Sequence, residues 1–316
     1  MTSSKGRAEE MELKYYKRAG EIAHRALKLA LDLVEPEEPV LDLCQRIEEF
    51  ILNNGGKPAF PVNVSINQVA AHYTATIDDD LLIPKKGIVK VDVGVQVDGY
   101  IADTAISIPL DSLQDDLVEA AYRALLAAIN VTKPGESLSF IGATIEKTIK
   151  AFGLKPIRNL SGHKIDRYTL HAGKSIPNIR AGWGTVKKGE VFAIEPFTTN
   201  GAGVVEEGVT VTIFRLRSVK RIRKRSDLNA LVEKLWTRYR GLPFAKRWLL
   251  EFIPKEDIEN TLYELSRHKL IDSYPILIEQ GGGLVAQMED TVILYDENET
   301  INLTNSIKLY EEIKYR

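Results

Sequence analysis

The feature that most constrains the fold is a pair of adjacent segments between Ile88 and Ile108. In the first segment a valine occupies every second position, which is the period of a strand with one apolar face. Asp98-Gly99 follows and is a strong signal for a two-residue hairpin turn. A second strand then starts at Tyr100. The sequence therefore predicts an antiparallel hairpin of two long strands.

The register of this hairpin brings two aspartates together. Pairing Val97 with Tyr100 makes Gly94 face Asp103 and places Asp92 on the same face, diagonally across the strands. Diagonal neighbours have Cα atoms about 7–8 Å apart, and carboxylates at that separation can hold two metal ions about 3.5–4 Å apart. The glycine at position 94 is expected to leave room for an ion. Taken alone, an aspartate pair of this kind is more typical of a solvated hairpin face.

Further polar residues favour a metal site over a solvated face. Glu195 lies inside an apolar strand, and Glu289 lies in the β-like segment 284–294. A charge in such a strand costs free energy unless it is paired or bound to a metal. Two of the five histidines, His163 and His171, lie close together in sequence. Four acids with one imidazole form an oxygen-rich ligand set that suits a hard divalent cation.

Composition restricts the class of protein. A chain of 316 residues, 44% of them hydrophobic, forms one large domain or two modest ones with a sizeable core. The net charge of −2 gives no overall bias toward nucleic acid or a membrane surface. The single cysteine, Cys44, excludes an internal disulfide and a thiolate zinc site. This usage fits a reducing cytoplasm, and no apolar run reaches the ~18 residues of a membrane span.

Hydrophobic periodicity predicts helices near the N-terminus and after the hairpin, with strands elsewhere. The helices are expected at 10–33, 40–52, 117–132 and 140–152. A basic stretch follows, since 217–250 holds 11 Lys and Arg against two acids, and exposed helices are predicted at 226–239 and 255–269. The predicted organisation is a flexible segment 1–10, a catalytic domain formed by 11–215 and 274–316, and a helical insertion 216–273.

The candidate ligands resemble those of a known family, the methionine aminopeptidases. The five-residue set is Asp92, Asp103, His163, Glu195 and Glu289. The segments around them, at 159–163, 170–173, 193–197 and 287–289, are similar to that family's motifs, as is 70–73. Glu195 and Glu289 are 94 residues apart, and the intervening insertion, with its segment 242–249, resembles the type 2 enzymes. The absence of a long charged N-terminal extension favours the archaeal-like form.

The resemblance implies a fold and a metal centre. The fold is the α+β pita-bread fold, a curved mixed β-sheet flanked by helices, with the metals in its central cleft. Two divalent ions are expected, drawn from Co, Mn, Fe or Zn. Asp92 would chelate one ion, Asp103 and Glu289 would bridge both, and His163 and Glu195 would complete the second site.

The resemblance also implies roles in substrate binding and catalysis. His72 would contact the scissile amide, His171 would donate to the developing oxyanion, and Glu195 would carry the proton. An apolar methionine pocket would be lined by Phe60, Leu170 and Tyr274. Ordinary core packing is the alternative for the pocket residues and for both histidines.

The implied activity is removal of the initiator methionine from proteins whose second residue is small. The expected substrates are peptides and nascent chains that begin with methionine, and the chain is expected to act as a monomer in the cytoplasm. The basic run 220–225 could attract RNA phosphates and so bring the protein close to the ribosome. The alternative is that this run is a solvated connecting arm. Two rival functions share the fold, namely a proline-specific dipeptidase or aminopeptidase and a non-catalytic relative that binds RNA or ribosomes.

Overall fold

The structure, a computed structural model, describes residues 4–314, with side chains from residue 10 onward. The helices are α1 Ser4–Leu33, α2 Val40–Asn53, α3 Asp115–Val131, α4 Leu138–Ala151, α5 Ser226–Tyr239, α6 Ile258–Arg267 and α7 Ser306–Lys314. Short 3-10 helices cover Ser112–Gln114, Lys246–Glu251 and Lys255–Asp257. None of the helices within 4–314 has the length and apolar character needed to cross a bilayer.

The strands number sixteen in the described part of the chain. They are β1 Lys57–Pro58, β2 Asn63–Ile66, β3 Val69–Ala71, β4 Ile88–Val97, β5 Tyr100–Pro109, β6 Lys155–Pro156, β7 Ser161–Ile165, β8 Ser175–Pro177, β9 Val191–Ile194, β10 Phe197–Thr199, β11 Val205–Leu216, β12 Phe244–Ala245, β13 Ile271–Glu279, β14 Val285–Gln287, β15 Asp290–Leu294 and β16 Thr300–Asn302.

The predicted hairpin register is confirmed along the full length of β4 and β5. Val97 pairs with Tyr100, Gly94 with Asp103, and Asp92 with Ala105. No bulge interrupts the ladder within these two strands. The tight Asp98-Gly99 turn is responsible, since both of its residues have positive φ, at 52° and 88°.

Four sheets are built around this hairpin. One has β4 at its centre, with β5 along one edge and β1 and β2 along the other; the remaining sheets run β14-β10-β6, β12-β11-β13-β3 and β16-β15-β9-β7-β8. Every strand pairing among the described residues is antiparallel, whereas a mixed sheet was expected. Short reversing connections, such as those from β4 to β5 and from β7 to β8, produce antiparallel neighbours.

The main core lies between the central sheet and helices α1 to α4. Helix α1 presents small side chains to this core. At Gly20 the helix lies directly against the backbone of Leu303, since a Cβ at this position would lie 2.2 Å from the Leu303 carbonyl oxygen. The helix begins at Ser4, earlier than the expected start at residue 10. The predicted flexibility of 1–10 stays a prediction, since residues 1–3 lie outside the described part of the chain.

Helices α5 and α6 lie in the connection between β11 and β13, where the basic insertion was expected. They pack on their own apolar cluster, which includes Leu231, Leu235, Leu262 and Leu265. Phe214 from β11 joins this cluster, so the insertion is anchored on a strand that continues into the rest of the fold.

Candidate active site

The five predicted ligands line a single cavity of about 90 Å³ at the centre of the fold. They come from five different strands or strand ends, so the site forms only when segments far apart in the chain meet. The ligands are Asp92 on β4, Asp103 on β5, His163 on β7, Glu195 after β9 and Glu289 between β14 and β15.

Sheet register explains how two of the acids meet. Asn63 on β2 pairs with Asp92, and Asp92 pairs with Ala105 on β5. Ala105 in turn forms an isolated bridge to Glu289, with N–H···O distances of 3.2 and 3.0 Å. Asn63, Asp92 and Glu289 therefore lie in one row across neighbouring strands, with the small Ala105 between the two acids.

A second row brings the histidine to the aspartate. His163 pairs with Ala193 on β9, and Ala193 pairs with Thr291 on β15. The Thr291 hydroxyl donates to the Asp103 carbonyl and accepts from the Asp103 amide, both at 2.7 Å. His163 Nε2 consequently lies 3.5 Å from Asp103 Oδ2 and 3.6 Å from Glu195 Oε1.

The cavity concentrates negative charge in a dry environment. Burial raises the pKa of Asp92 and Glu195 well above the usual range, and the charge of Asp103 adds to the effect in both. Burial, together with the charges of Asp103 and Glu195, also raises the pKa of Glu289 well above its usual range. The pKa of Asp103 rises to about 7, again through burial. Burial lowers the pKa of His163 to about 4, so its ring is neutral at pH 7.

These groups fit divalent cations. Oδ1 of Asp92 and Oδ1 of Asp103 are buried and have no hydrogen-bond partner among the described residues. One ligand atom each from Asp103, His163 and Glu289 can be chosen so that all lie within 4.8 Å of one another. Gln287 Nε2 donates to Glu289 Oε2 at 2.9 Å and orients that carboxylate. Unpartnered carboxylate oxygens beside a neutral imidazole are the donors that a divalent ion needs.

Two further histidines stand at the mouth of the cavity. His72 follows β3 with a φ of 66°, a strained backbone for a residue other than glycine. Its Nδ1 lies 3.2 Å from the Pro275 carbonyl oxygen, which can only accept. A neutral His72 therefore carries its proton on Nδ1 and leaves Nε2 as an acceptor. Burial lowers its pKa and keeps it neutral.

His171 packs its ring edge against His163, with centroids 4.4 Å apart. Its own pKa is lowered, chiefly by desolvation in the cleft and then by the neighbouring His163, His72 and Arg215. The ring is thus a neutral dipole at the rim of the carboxylate cluster.

The apolar side of the cavity contains Phe60, Leu170 and Tyr274, the three residues that the sequence suggested for a side-chain pocket. The expectation for Gly94 was wrong. A Cβ at this position would lie 2.2 Å from the Phe60 ring, so the glycine makes room for that ring and not for an ion.

Comparison with known proteins agrees with this geometry. Residues 14–237 match the family described as Metallopeptidase family M24. A methionine aminopeptidase of Thermococcus onnurineus is 47% identical over 89% of this chain and 95% of its own length. One from Saccharolobus solfataricus is 46% identical over 90% of this chain and 95% of its own.

This chain belongs to the methionine aminopeptidases of family M24. The similarity is to archaeal members, and it spans nearly the whole of both chains, so the type expected from the sequence is confirmed.

Solved structures of lower identity share the fold of this methionine aminopeptidase family member. A thermophilic Arx1 superposes with a TM-score of 0.81 at 19% identity, covering 92% of this chain and 90% of its own. A methionine aminopeptidase of Thermotoga maritima gives 0.68 at 21%, covering 93% and 96%. A prolidase of Pyrococcus furiosus gives 0.62 at 18%, covering 94% and 64%. The expected pita-bread fold is thereby confirmed.

Several cavity residues were missed from the sequence. Asn63 is buried beside Asp92, and its Oδ1 has no partner among the described residues. Ile213 and Pro243 extend the apolar wall from β11 and from the segment before β12. An asparagine in a short apolar strand is a signal that could have identified Asn63. Ile213 and Pro243 carry no such signal, because apolar residues are common in any core.

Proposed function

We infer that this protein is a methionine aminopeptidase, which hydrolyses the first peptide bond of chains that begin with methionine. The observation that carries this function is the cavity itself, in which five candidate metal ligands adjoin an apolar wall within a chain 46–47% identical to archaeal enzymes of that name. We propose that the substrates are new proteins whose second residue is small.

We propose that Asp92, Asp103, His163, Glu195 and Glu289 hold two divalent ions, drawn from Co, Mn, Fe or Zn. When bound, such a pair of ions supplies an acidified water and a Lewis acid for the peptide carbonyl. Asp103 interacts with Asp92 and Glu289, and the charges of Asp103, Glu195 and Asp92 all act on Glu289, which supports the proposal that these two bridge both ions.

Substrate orientation is assigned to the two histidines at the mouth. The free Nε2 of His72 is an acceptor, so it suits the N–H of the scissile amide. His171 is neutral and has one ring N–H, to which we assign donation to the oxygen where negative charge develops. Phe60, Leu170 and Tyr274 would surround the methionine side chain, since an unbranched thioether prefers an apolar pocket.

Proton transfer is assigned to Glu195. Its pKa lies well above the usual range, because of burial and the charges of Asp103 and Asp92. This shift belongs to the metal-free cavity, and the role is assigned by position: a carboxylate beside the reacting groups can take up a proton as the peptide bond breaks and pass it to the departing amine.

The cellular setting is also a proposal. We propose a cytoplasmic monomer with a flexible segment at 1–10 and an insertion subdomain at 216–273. Within the basic run, Arg221 pairs with Glu233, and Arg225 pairs with Asp227 and Glu264. These internal pairs support a solvated arm, and we propose no more than transient proximity to the ribosome.

The test follows release of free methionine or proline by metal-stripped protein after Mn²⁺ or Co²⁺ is added back. A peptide that begins Met-Gly is compared with a matched Xaa-Pro dipeptide. His163→Ala and Asp103→Asn are expected to abolish most methionine release, because each removes a proposed ligand. His268→Ala and Asp227→Asn are matched controls outside the cavity and should behave as the parent.

Metal-dependent methionine release that both ligand variants lose would support the proposal. Proline release in place of methionine release would move the chain to the proline-specific branch. Parent protein that binds no metal and releases neither amino acid would rule out the enzyme and favour a binding protein on the same fold.

A further inference from the structure

A buried ion pair links the insertion to the catalytic part of the chain. Glu48 on α2 is 7% exposed, and Arg247 in the short helix after β12 is 6% exposed. Arg247 Nη2 donates to Glu48 Oε1, and Trp248 Nε1 donates to Glu48 Oε2 at 2.9 Å. A buried pair of this kind is seldom kept for stability alone, since apolar residues of similar volume often stabilise a core as well.

The first contact of the pair is with the segment that precedes β2 and borders the pocket. The Val62 amide donates to Glu48 Oε1 at 3.1 Å. Val62 lies between Phe60 and Asn63, both of which line the cavity. The carboxylate of Glu48 therefore fixes the backbone that carries the Phe60 ring.

The second contact is with the segment that carries the strained histidine. Arg247 Nη1 donates to Thr74 Oγ1 at 2.7 Å and to the Ala75 carbonyl oxygen at 2.8 Å. The Thr74 hydroxyl then donates to the Val62 carbonyl oxygen at 2.7 Å. Thr74 comes two residues after His72, so this network joins the His72 segment to the Phe60 segment.

The third contact is made by the chain of Arg247 itself. Pro243 lines the cavity and lies just before β12, whose Ala245 pairs with Ile213, another lining residue. Arg247 follows directly after this strand. The guanidinium thus holds the Pro243 wall at a fixed distance from the walls that carry Phe60 and His72.

Space exists behind this wall. A second cavity of about 70 Å³ is lined by Glu48, Leu242 and Trp248 among others. Leu242 belongs to the same apolar cluster as Phe60. If the pair were removed, the 242–243 segment could retreat into this space and widen the methionine side of the active site.

We propose that the Glu48–Arg247 pair is a positioning pair that sets the width of the apolar pocket and hence the preference for methionine. The pair touches no reacting atom. It acts through Val62, Thr74 and Pro243, which place the three walls of the pocket. This inference rests on the proposed function, since it assigns the apolar wall to the substrate's first side chain.

The experiment measures kcat and KM on Met-Gly and Phe-Gly peptides with the full chain in Mn²⁺. The test variant is Glu48→Gln with Arg247→Gln, which keeps hydrogen-bonding amides and leaves no unpaired buried charge. We expect the methionine-to-phenylalanine ratio of kcat/KM to fall about tenfold, the scale of a poorly fitted apolar group in a pocket. The change should appear in KM, with Mn²⁺ binding by calorimetry unchanged.

The matched control is Arg221→Gln with Glu233→Gln, an exposed ion pair in the same insertion, with side chains 82% and 64% exposed. It should leave the ratio unchanged. A folded, Mn²⁺-binding test variant with the parental ratio would overturn the proposal. Should the test variant not fold, Thr74→Val decides, because it removes the hydroxyl that joins Arg247 to the Val62 carbonyl oxygen and must also lower the ratio. Parent protein that releases no methionine would instead overturn the proposed function.

Discussion

At the scale of single residues, the cavity is defined by acids that the fold places in unfavourable surroundings. Asp92, Asp103, Glu195 and Glu289 are held within one small volume, and the pKa of each is raised by burial. Neighbouring carboxylates without a cation must either repel or take up protons. The site therefore links the protonation state of the protein to its stability.

Asp103 should make the metal-free protein lose stability as the pH rises. Its pKa moves from its ordinary 3.8 to about 7 in the folded chain, so its contribution is complete below pH 3.8 and lost as the pH passes 7. The buried neutral histidines act in the opposite direction, because their lowered pKa values favour unfolding as the pH falls below their ordinary 6.5. The quantity to measure is therefore the Tm of the parent minus that of Asp103→Asn in a chelator, which should fall by at least about 5 °C from pH 5 to pH 8.

Mn²⁺ should remove most of the pH dependence that Asp103 causes, because the cation replaces its proton. The contribution of the histidines is common to the parent and to Asp103→Asn, so it cancels when the two are compared in the chelator. A parent-minus-variant Tm difference that rises between pH 5 and pH 8 would contradict the assignment.

His171→Ala should lower kcat by about 100-fold, the scale of losing one oxyanion donor. KM and the number of bound ions should stay near the parental values, because the ring lies beside His163 but is not a proposed ligand. Steady-state kinetics with metal analysis measures both quantities. Loss of the metal together with kcat would show that His171 supports the ligands rather than the oxyanion.

At the scale of elements, the β4–β5 hairpin shapes both sides of the site. One face carries Asp92 and Asp103, and the gap at Gly94 receives the Phe60 ring. Hairpin geometry therefore controls two of the proposed metal ligands and the apolar pocket together.

Gly94→Ala should raise KM for a Met-Gly peptide by about tenfold, because the new methyl group displaces the Phe60 ring from the pocket wall. Mn²⁺ affinity should change little, as both aspartates keep their register. In the double variant Gly94→Ala with Phe60→Leu, the smaller leucine makes room for the new methyl group, so KM should return part of the way to the parental value. If the single variant lost Mn²⁺ binding while KM held, the space at Gly94 would belong to the ion after all.

At the scale of the whole molecule, the register of the hairpin could be predicted from the sequence. The pairing of strands that lie far apart in the chain could not. The Asp98-Gly99 turn fixes the pairing of its flanking strands locally, so the Asp92–Asp103 geometry followed. The contact of Thr291 with Asp103 and the row from Asn63 to Glu289 depend on strands far apart in the chain. No local pattern specifies such pairings, and the resemblance to a family supplied only the set of candidate ligands that they bring together.

The strand directions and the role of Gly94 were missed for related reasons. A single sequence does not reveal which strands become neighbours, so the uniformly antiparallel pairing was not predicted. It also does not reveal that Phe60 reaches across to Gly94. Both facts belong to packing between segments and not to any one segment.

The insertion and the catalytic part should unfold together. The cluster around Leu235 includes Phe214 of β11, and β11 also pairs with β13 in a sheet that reaches β3. Leu235→Ala should cost about 2–5 kcal/mol and shift one calorimetric transition to lower temperature. Leu250→Ala, at a side chain 47% exposed, should have little effect. Two separate transitions would indicate an independently folding insertion.

The antiparallel ladder of β4 and β5 also sets where the chain tolerates changes of length. One residue added to or removed from either strand would turn Asp92 or Asp103 away from the other, since alternate residues point to opposite faces. The segment between β11 and β13 does not set which way Glu195 and Glu289 face, because those two acids are brought together by separate strands. Across related chains, gaps in an alignment should therefore accumulate between β11 and β13 and be absent between Asp92 and Asp103.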